Sequence, residues 1–511
     1  MQNKETLFHR LATVAYVLII SSSLVMIGCS LSGPQYGLPR LRMAVGSVFC
    51  AVLICVGFFV WNKFSACQEK LARYMFVGAA IGFGLLLLYV CFFCRNRATL
   101  QGDYDMMWQM ASDIVRGREL NDYDYLNYYS NNFKPMLFLA GIFKVADMLQ
   151  LKDAYYAVVL VSVIEVMGTV WAVSYLAEKR EDTKPLGLPI LLCFMFFLPV
   201  WGNTQAFYTD AMSFGLIVIA LALAKAGCFR QGYRKYVYIV FAGIVAAVGL
   251  SLKITLMIPL IGFAIAVVVT QKIKKDRAAG ICFVFAILGA YLLIEGWTCT
   301  YDAYVMSKEV SDPIISWIAI GLQGNGSYAD NVPFVQQVHS FATKSEKTAY
   351  IAEVIAENKS NFFSISHWID KIRTIYADGT FGAGVFAAEY EEKPNLVWNA
   401  FSTYGKYFWW TVQLCFVYIH GIYIIILFGQ IRTLVNIVRG EMPSLMCMFT
   451  DLTMLGVFLF MGLWEANNRQ LYNQIPLVML GLILHLKAMT KTGLPPFIQK
   501  ATCNRQQKMR Y

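Results

Sequence analysis

GDYDMMWQMASDIVRGRELNDYDYLNYYSNNFKP, residues 102–135, is a polar stretch within a strongly apolar chain. It contains five aspartates, five tyrosines and a tryptophan, and it ends with Lys134 before a proline. Apolar runs long enough to cross a bilayer lie on both sides of it. Carboxylates beside aromatic rings at a membrane face suit a site that handles a polar group carried on a lipid. We therefore interpret the other segments relative to this stretch.

The composition indicates an all-α polytopic membrane protein. Of the 511 residues 58% are hydrophobic and 15% are charged, whereas soluble domains usually have about 25% charged residues. The apolar runs are continuous and do not alternate, which excludes an outer-membrane barrel. The net charge of +11 lies mostly in short loops and the C-terminal tail. It therefore indicates orientation in the membrane and not a nucleic-acid partner.

About twelve runs approach the ~20 residues that a bilayer requires. The predicted spans are 11–31, 41–61, 75–94, 154–176, 186–200, 211–226, 237–252, 254–269, 278–297, 407–427, 445–463 and 475–486. Residues 133–149 are interrupted by Lys144 and Asp147, and this predicts an interfacial helix instead of a span. Residues 106–116 predict a second, amphipathic interfacial helix. No internal repeat is visible.

Lysines and arginines in the short loops predict that both termini are cytoplasmic, although the arginines near 40–42 and 95–97 are exceptions. Both polar regions, 102–135 and 298–404, then lie outside the cell membrane. The predicted units are two additional N-terminal membrane helices (1–74), a membrane core (75–297) with a catalytic outer loop (95–153), an extracytoplasmic loop region (298–404), C-terminal membrane helices (405–490) and a basic cytoplasmic tail (491–511).

Asp103 and Asp105 directly follow the third predicted span. Transfer of a group to a hydroxyl requires a base that takes the proton, and a carboxylate at the outer surface suits that task. The alternative is that both aspartates only cap the amphipathic helix that follows, where acidic residues are favoured. From the residues alone, both interpretations stay open.

Five further ionisable residues lie near the outer ends of predicted spans: Lys134, Asp210, Lys253, Glu465 and Arg469. Lys253 interrupts the apolar run 237–269, and such a residue is a functional candidate by default. The alternatives are that the lysines only reach towards water and that Asp210 caps a helix. Glu465 and Arg469 are four apart and could pair with each other, although Arg469 is also well suited to a phosphate.

Other patterns carry less weight. Lys371 and Arg373 in the 298–404 region are further candidates, but we expect them on a solvated surface. Thirteen cysteines lie mostly in apolar runs, and Cys91-x-x-Cys94 has no partner pair, so a metal or redox site is not expected. No zinc-protease, P-loop, dinucleotide-binding or nucleophile-elbow motif is present.

This layout resembles the GT-C superfamily of membrane glycosyltransferases, which includes protein O-mannosyltransferases and the aminoarabinose transferase of lipid A. Its members carry an aspartate at the start of the first large outer loop, which is the place of Asp103. Other matching elements are the Ala111-x-x-Ile114-x-x-Gly117 cadence, Phe133-Lys134-Pro135, Tyr208-Thr209-Asp210, the AGIVAAVGLSLKIT segment that contains Lys253, and the stretch from Glu465 to Tyr472. Asp103-Tyr-Asp105 and the single proline depart from the common variants, which leaves the sugar and the acceptor open.

The resemblance implies a GT-C fold from the third span to the last. It implies an inverting transfer of a sugar from a polyprenyl-phosphate-linked donor to a hydroxyl of an envelope glycan, teichoic acid, lipid or protein. Undecaprenyl phosphate would be the carrier in a bacterium, the source we favour. Asp103 would be the base, with Asp105 as second choice. Lys134, Lys253 and Arg469 would hold phosphate, and Asp210 and Glu465 would position sugar or acceptor.

No cofactor is expected. A divalent metal held by Asp103, Asp105 and Asp210 is the less favoured alternative. Two other functions stay open. A transporter or flippase of lipid-linked sugars would place ionisable residues near the middle of the bilayer. A polysaccharide polymerase or ligase would act on the same outer-face glycans but rely on arginine or histidine pairs in the outer loops.

Overall fold

The computed structural model describes residues 2–95, 102–120, 124–178, 185–270, 277–384 and 393–491, with side chains from Leu7 onwards. Throughout these residues the regular structure is helical and no strand occurs, in agreement with the predicted all-α class. Some charged residues of the first polar stretch and of the short loops lie outside the described part: Arg97, Asp122, Lys179, Arg180, Lys184, Lys272, Lys274, Lys275 and the tail 492–511.

Within the described residues, ten helical segments are long and apolar enough to cross a membrane. They are built on α1 (Gln2–Ser32), α2 (Arg40–Cys67), α3 (Glu69–Phe93), α7 (Tyr155–Ala177), α10 with α11 (Thr209–Met212 and Leu216–Cys228), α12 (Tyr233–Leu252), α14 (Arg277–Thr298), α21 (Phe408–Val438), α22 (Leu445–Leu463) and α23 (Ile475–Lys491). The chain is therefore a multi-pass membrane protein.

Two of the twelve predicted spans are shorter than a bilayer-crossing helix. The 186–200 run forms α8 (Gly187–Phe196), a turn at Phe197 and then α9 (Pro199–Asn203). The 254–269 run begins as a 3₁₀ turn and continues as α13 (Met257–Val269). Between α12 and that turn Lys253 is extended, with φ −151° and ψ 110°. The ionisable residue therefore marks a real break in the apolar run.

The remaining helices are short and gather where α3, α12, α14 and α22 end. They are α4 (Asp103–Val115), α5 (Asp124–Tyr128), α6 (Phe133–Met148), α15 (Asp302–Val310), α16 (Ile315–Leu322), α17 (Val332–His339), α18 (Lys344–Asn358), α19 (Ile365–Tyr376) and α20 (Leu396–Phe401). Helix α4 packs against α6, and neither is among the candidate spans. We call this side of the bundle the polar end.

The bundle is centred on α23, which is the most buried candidate span, while α14 is the most exposed. Helices α1 and α2 pack against α21, and α1 also contacts α22. The two N-terminal helices are therefore joined to the C-terminal part of the chain. At the opposite end, Lys225 and Lys487 donate to backbone carbonyls at the end of α7, which satisfies carbonyls that have no helical partner.

Region 298–404 has a small core of its own, formed by residues of α16, α17 and α18. A capping box at Thr343 and Glu346 begins α18. This region rests on the segment after α22, because the Ala466 amide donates to the Gly326 carbonyl at 2.7 Å. The segment that links α22 to α23 is thereby enclosed between the bundle and the loop region.

Candidate functional site

Asp103 occupies the first turn of α4 and is half-buried. No side-chain bond caps this helix at Gly102. Instead, the Tyr208 hydroxyl donates to Oδ2 of Asp103 at 2.8 Å. Among the described residues Oδ1 of Asp103 has no hydrogen-bond partner. Asp103 therefore stabilises the start of α4 only through its negative charge. Its carboxylate is hydrogen-bonded to a residue from another part of the chain.

Asp105 lies in the same turn but is oriented differently, because residues two apart on a helix do not share a face. Its Oδ1 accepts from the Gln109 amide at 2.8 Å, one turn further along α4. This bond is local to the helix and exposed. Of the two predicted carboxylates, only Asp103 is therefore linked to the other site residues.

Asp210 brings together two cations that are distant in the sequence. Its Oδ1 lies 2.9 Å from Lys253 Nζ and its Oδ2 lies 3.4 Å from Arg469 Nε. The carboxylate is almost fully buried. The arginine lies over the Tyr208 ring, with its guanidinium carbon 4.4 Å from the ring centre. We call Tyr208, Asp210, Lys253 and Arg469 the Asp210 cluster.

Burial decides the protonation of the tyrosine in this cluster. Desolvation, with the charge of Asp103 as a further cause, raises the pKa of Tyr208, although Arg469 opposes the shift. At neutral pH the phenol therefore stays protonated, and its hydroxyl donates a hydrogen bond to Asp103. Tyr208 contacts Asp103 through its hydroxyl and Arg469 through its ring, so it connects the base candidate with the cationic group.

Glu465 is buried beside this cluster, and burial raises its pKa while Arg469 partly offsets the shift. Its oxygens accept from the Asn467 and Gln470 amides, both at 3.2 Å. Among the described residues the salt bridge of Arg469 goes to Asp210 and not to Glu465, so the alternative of a Glu465–Arg469 pair is not observed. Glu465 thus fixes the chain before α23.

Lys371 differs from the expectation of a solvated surface. It is fully buried on α19 and donates to the Gly321 carbonyl at 2.6 Å. Burial lowers the pKa of Lys371 to about 7, although Glu465 partly offsets this. Its helix places His367, Lys371 and Ile375 on one buried face at intervals of four. That periodicity was visible in the sequence and could have indicated burial.

A glycine-rich segment, Asp378-Gly-Thr-Phe-Gly-Ala-Gly384, packs directly on the arginine. Gly382 has a φ of +70°, and a Cβ there would lie 2.9 Å from Arg469 Cβ. Gly379 has a φ of +75° and approaches the Phe416 backbone as closely. The Asn203 amide holds the Phe381 carbonyl at 3.2 Å. Only glycine fits these two positions.

Lys134 lies in a second group, which the sequence interpretation did not foresee. Its Nζ is 2.5 Å from Glu295 Oε2 and lies 4.6 Å from the Tyr291 ring centre. Lys308 pairs with the same carboxylate at 2.7 Å. Burial lowers the pKa of Lys134, but its hydrogen bond to Glu295 and the nearby tyrosines raise that pKa by more. The net shift of the pKa is therefore upward. Lys134 is therefore charged.

Asn132 joins the two groups, because Lys134 follows it by two residues at the start of α6. The Asn132 amide donates to the hydroxyls of Tyr125 at 2.5 Å and Tyr208 at 3.3 Å. Asp103 and the Asp210 cluster thus form one region in direct contact, and Lys134 is linked to it along the chain at Asn132, whereas Asp105 is not part of it. Tyr208 and Asn132 complete it, and Glu295 could have been noticed as an ionisable residue near the end of an apolar run.

A separate polar network lies inside the candidate spans. Asp451 on α22 accepts from Tyr16 at 2.9 Å and from Gln430 at 3.0 Å, and it lies 3.0 Å from His485 Nε2. The histidine and the aspartate are fully buried. Buried polar groups inside a membrane must be paired. This network fastens the N-terminal helix α1 to the bundle.

Within the described residues, no three or more His, Cys, Asp or Glu side chains lie together as a metal site. Asp105 is not part of the Asp210 cluster, so the predicted three-carboxylate alternative is not assembled as a group. Independence from metal stays a prediction. Comparison of the chain with family models, with curated proteins and with solved structures gave no match.

Proposed function

We propose that this protein is a GT-C type glycosyltransferase that moves a sugar from a polyprenyl-phosphate-linked donor to a hydroxyl acceptor on the outer face of the membrane. One observation carries the proposal: Asp103 is connected through the Tyr208 ring to Lys253 and Arg469, which share the single carboxylate of Asp210. A base and an anion-binding group therefore adjoin each other at one end of the bundle.

Both groups hold cations that suit an anionic ligand. Lys253 and Arg469 face the carboxylate of Asp210, while Asp103 adds a second negative charge beside Tyr208. In the second group Lys134 and Lys308 share the single carboxylate of Glu295, which leaves an excess of positive charge there. Partly dehydrated lysine and arginine side chains suit a phosphate on a lipid.

In the proposed reaction, Asp103 takes the proton of the acceptor hydroxyl while the acceptor oxygen bonds to the anomeric carbon of the sugar. The bond from that carbon to the phosphate oxygen breaks, and the polyprenyl phosphate leaves with the electron pair. Negative charge grows on the leaving phosphate, and Arg469 and Lys253 stabilise it. Tyr208 holds Asp103 in place for this step.

An apolar cavity of about 720 Å³ supports a lipid-linked donor. It lies among α2, α3, α8, α21 and α23, and its lining is almost entirely apolar. Phe196 and Leu198 line it, whereas Phe197 between them packs on Phe381 and Tyr472 beside the Asp210 cluster. The turn at Phe197 therefore lies between the apolar cavity and the Asp210 cluster. A donor whose phosphate binds at the cluster would place its polyprenyl tail in the cavity.

The test uses the full chain in proteoliposomes with polyprenyl-phosphate sugars labelled in the sugar. Envelope glycan, teichoic acid, lipid and protein fractions serve as acceptors. We expect release of polyprenyl phosphate together with a labelled product from at least one fraction. Mass spectrometry of envelope glycans from cells with and without the gene then identifies the sugar and the acceptor. If no donor yields a labelled product with any acceptor fraction, the proposal is contradicted.

Transport of a lipid-linked sugar is a second candidate, and one observation favours it. Asp451, His485 and Glu165 are ionisable residues within candidate spans, as transporters require. Movement of the labelled donor across the proteoliposome membrane, without release of polyprenyl phosphate, would select this function over transfer.

A further inference from the structure

Asp378 is a buried carboxylate that lies just after the end of α19. It accepts from the Thr380 hydroxyl at 2.7 Å and from the Thr380 backbone amide at 3.2 Å. The side-chain amide of Asn468 donates to its Oδ2. Among the described residues, no lysine, arginine or histidine forms a salt bridge with Asp378. Neutral groups therefore hold this carboxylate.

The burial of this charge is costly for the fold. A carboxylate that leaves water without a cation beside it loses solvation, which hydrogen bonds from neutral groups replace only in part. Burial raises the pKa of Asp378 to about 6, although the bonds from Thr380 lower it. At pH 7 the group is therefore mostly ionised. A neutral amide could join the same segments at lower cost, so the use of a carboxylate indicates a role beyond packing.

The partner of Asp378 directly precedes the arginine of the Asp210 cluster. Asn468 begins the 3₁₀ helix Asn468–Gln474, and Arg469 is its second residue. The Arg469 backbone amide donates to the Asn467 side chain at 3.1 Å. The main chain at Arg469 is thus fixed twice, by a local cap and by a carboxylate from another part of the chain. Any movement of Asn468 would be passed on to the arginine, because the two residues are adjacent.

The segment that begins at Asp378 also contacts the arginine side chain. Gly382 lies so close to Arg469 that a Cβ there would be 2.9 Å from its Cβ and 3.0 Å from its Cγ. Asp378 and Gly382 therefore fix the main chain and the aliphatic part of the same residue. The guanidinium beyond them lies over Tyr208 and beside Asp210. A group that binds phosphate has to keep such a place before the ligand arrives.

We propose that Asp378 is a positioning residue, which acts through its bond to Asn468 and fixes Arg469 over Tyr208. The consequence for the donor rests on the proposed glycosyl transfer, in which Arg469 binds the donor phosphate. Under that function the loss of the bond between Asp378 and Asn468 should weaken donor binding. The effect on the place of Arg469 should occur in the absence of any ligand.

The first measurement follows Arg469 by NMR in the full chain, labelled with ¹⁵N at arginine Nε and held in nanodiscs. The Nε–H signal of Arg469 is identified by its loss in Arg469→Lys, and the Tyr208 ring shifts it, because a proton over an aromatic face is shielded. We expect Asp378→Asn and Asn468→Ala each to move this signal towards that of an exposed arginine. Asn468→Ala leaves the buried carboxylate and its bonds to Thr380 in place. Asp330→Asn, at an exposed position of the same loop region, is the matched control and should not move the signal.

The second measurement is equilibrium binding of a polyprenyl-phosphate sugar to the same variants. Asp378→Asn and Asn468→Ala should each weaken binding about three- to tenfold. The double variant should bind no more weakly than the weaker single variant, because both changes break one bond. An unmoved Arg469 signal in both single variants would overturn the positioning role, whatever the donor does. A moved signal with no donor binding, or with equal donor binding in every variant, would keep that role and reject only the donor contact of Arg469 in the proposed function.

Discussion

Tyr208 donates to Asp103 Oδ2 at 2.8 Å, and its ring lies 4.4 Å from the guanidinium carbon of Arg469. One side chain thus contacts both the proposed base and the proposed phosphate ligand. Its hydroxyl orients the carboxylate, while its ring packs on the guanidinium. Under the proposed function, the two groups act on different parts of the substrate.

Asp103→Asn should abolish sugar transfer, while Asp105→Asn should retain most of it. A positioned base contributes about 10²–10⁴-fold to rate, and only Asp103 is linked to the Asp210 cluster. The measurement is kcat with a lipid-linked sugar in proteoliposomes, accompanied by donor affinity. Equal losses in the two variants, or a loss only in Asp105→Asn, would contradict the assignment.

Arg469→Lys should raise the donor KM by about 10- to 100-fold, because a lysine lacks the planar fork that binds phosphate. The positive charge and the pairing of Lys253 with Asp210 remain, so the fold should persist. Arg432→Lys provides the control, because Arg432 lies on α21 near the end that points away from the polar end. An unchanged KM would remove Arg469 from donor binding.

Lys134→Gln should weaken donor binding about tenfold, whereas Lys308→Gln should leave it within about twofold. Both lysines pair with Glu295, but the Lys134 side chain is 12% exposed and that of Lys308 is 47% exposed. Water therefore screens the charge of Lys308 far more strongly than that of Lys134. Equilibrium binding of the labelled donor in nanodiscs is the measurement, and equal effects would show that both cations act only through Glu295.

Asp451→Leu should destabilise the fold by about 3–5 kcal/mol, since it removes the acceptor of buried donors within the bilayer. Tyr16, Gln430 and His485 would all lose their shared partner. Equilibrium unfolding in mixed micelles provides the measurement. Asp370→Asn, in an exposed ion pair, should cost less than about 1 kcal/mol. Similar costs for both variants would show that the network does not hold α1.

Stability should rise between pH 7 and pH 10 through Lys371. Its pKa is lowered from 10.5 to about 7 in the folded protein, so across this interval the unfolded chain binds the extra proton. Raising the pH therefore favours the folded state, and this gain is lost progressively as the pH falls from 10 towards 7. Thermal unfolding in detergent should show wild type and Lys359→Met gaining stability relative to Lys371→Met as the pH rises over this interval.

The apolar spans and the break at Lys253 were predictable, because length and hydropathy fix which segments enter a bilayer. The pairing of Asp210 with Arg469 was not, since the two residues belong to distant segments and no local pattern connects them. A pair between Glu465 and Arg469 was one of two alternatives for these residues, because they are four apart. That spacing implies an α-helix, but residues 468–474 form a 3₁₀ helix, in which the spacing no longer aligns side chains.

The candidate site residues were selected one by one from the sequence, and no pattern predicted how the fold groups them. Asp103, Asp210, Lys253 and Arg469 were all selected from their places at span ends, yet Lys134 belongs with Glu295. Lys371 was expected in water because most lysines are exposed. Its burial depends on the Gly321 carbonyl from another helix, and tertiary contacts of this kind leave only a faint trace in one sequence.

The contact between Gly382 and Arg469 also makes an uncharged residue decisive for where a charge lies. With no space for a Cβ between them, the backbone of residues 378–384 limits the positions open to the arginine side chain. Because φ is +70° at position 382, any other residue there would strain the backbone and displace Arg469 at the same time.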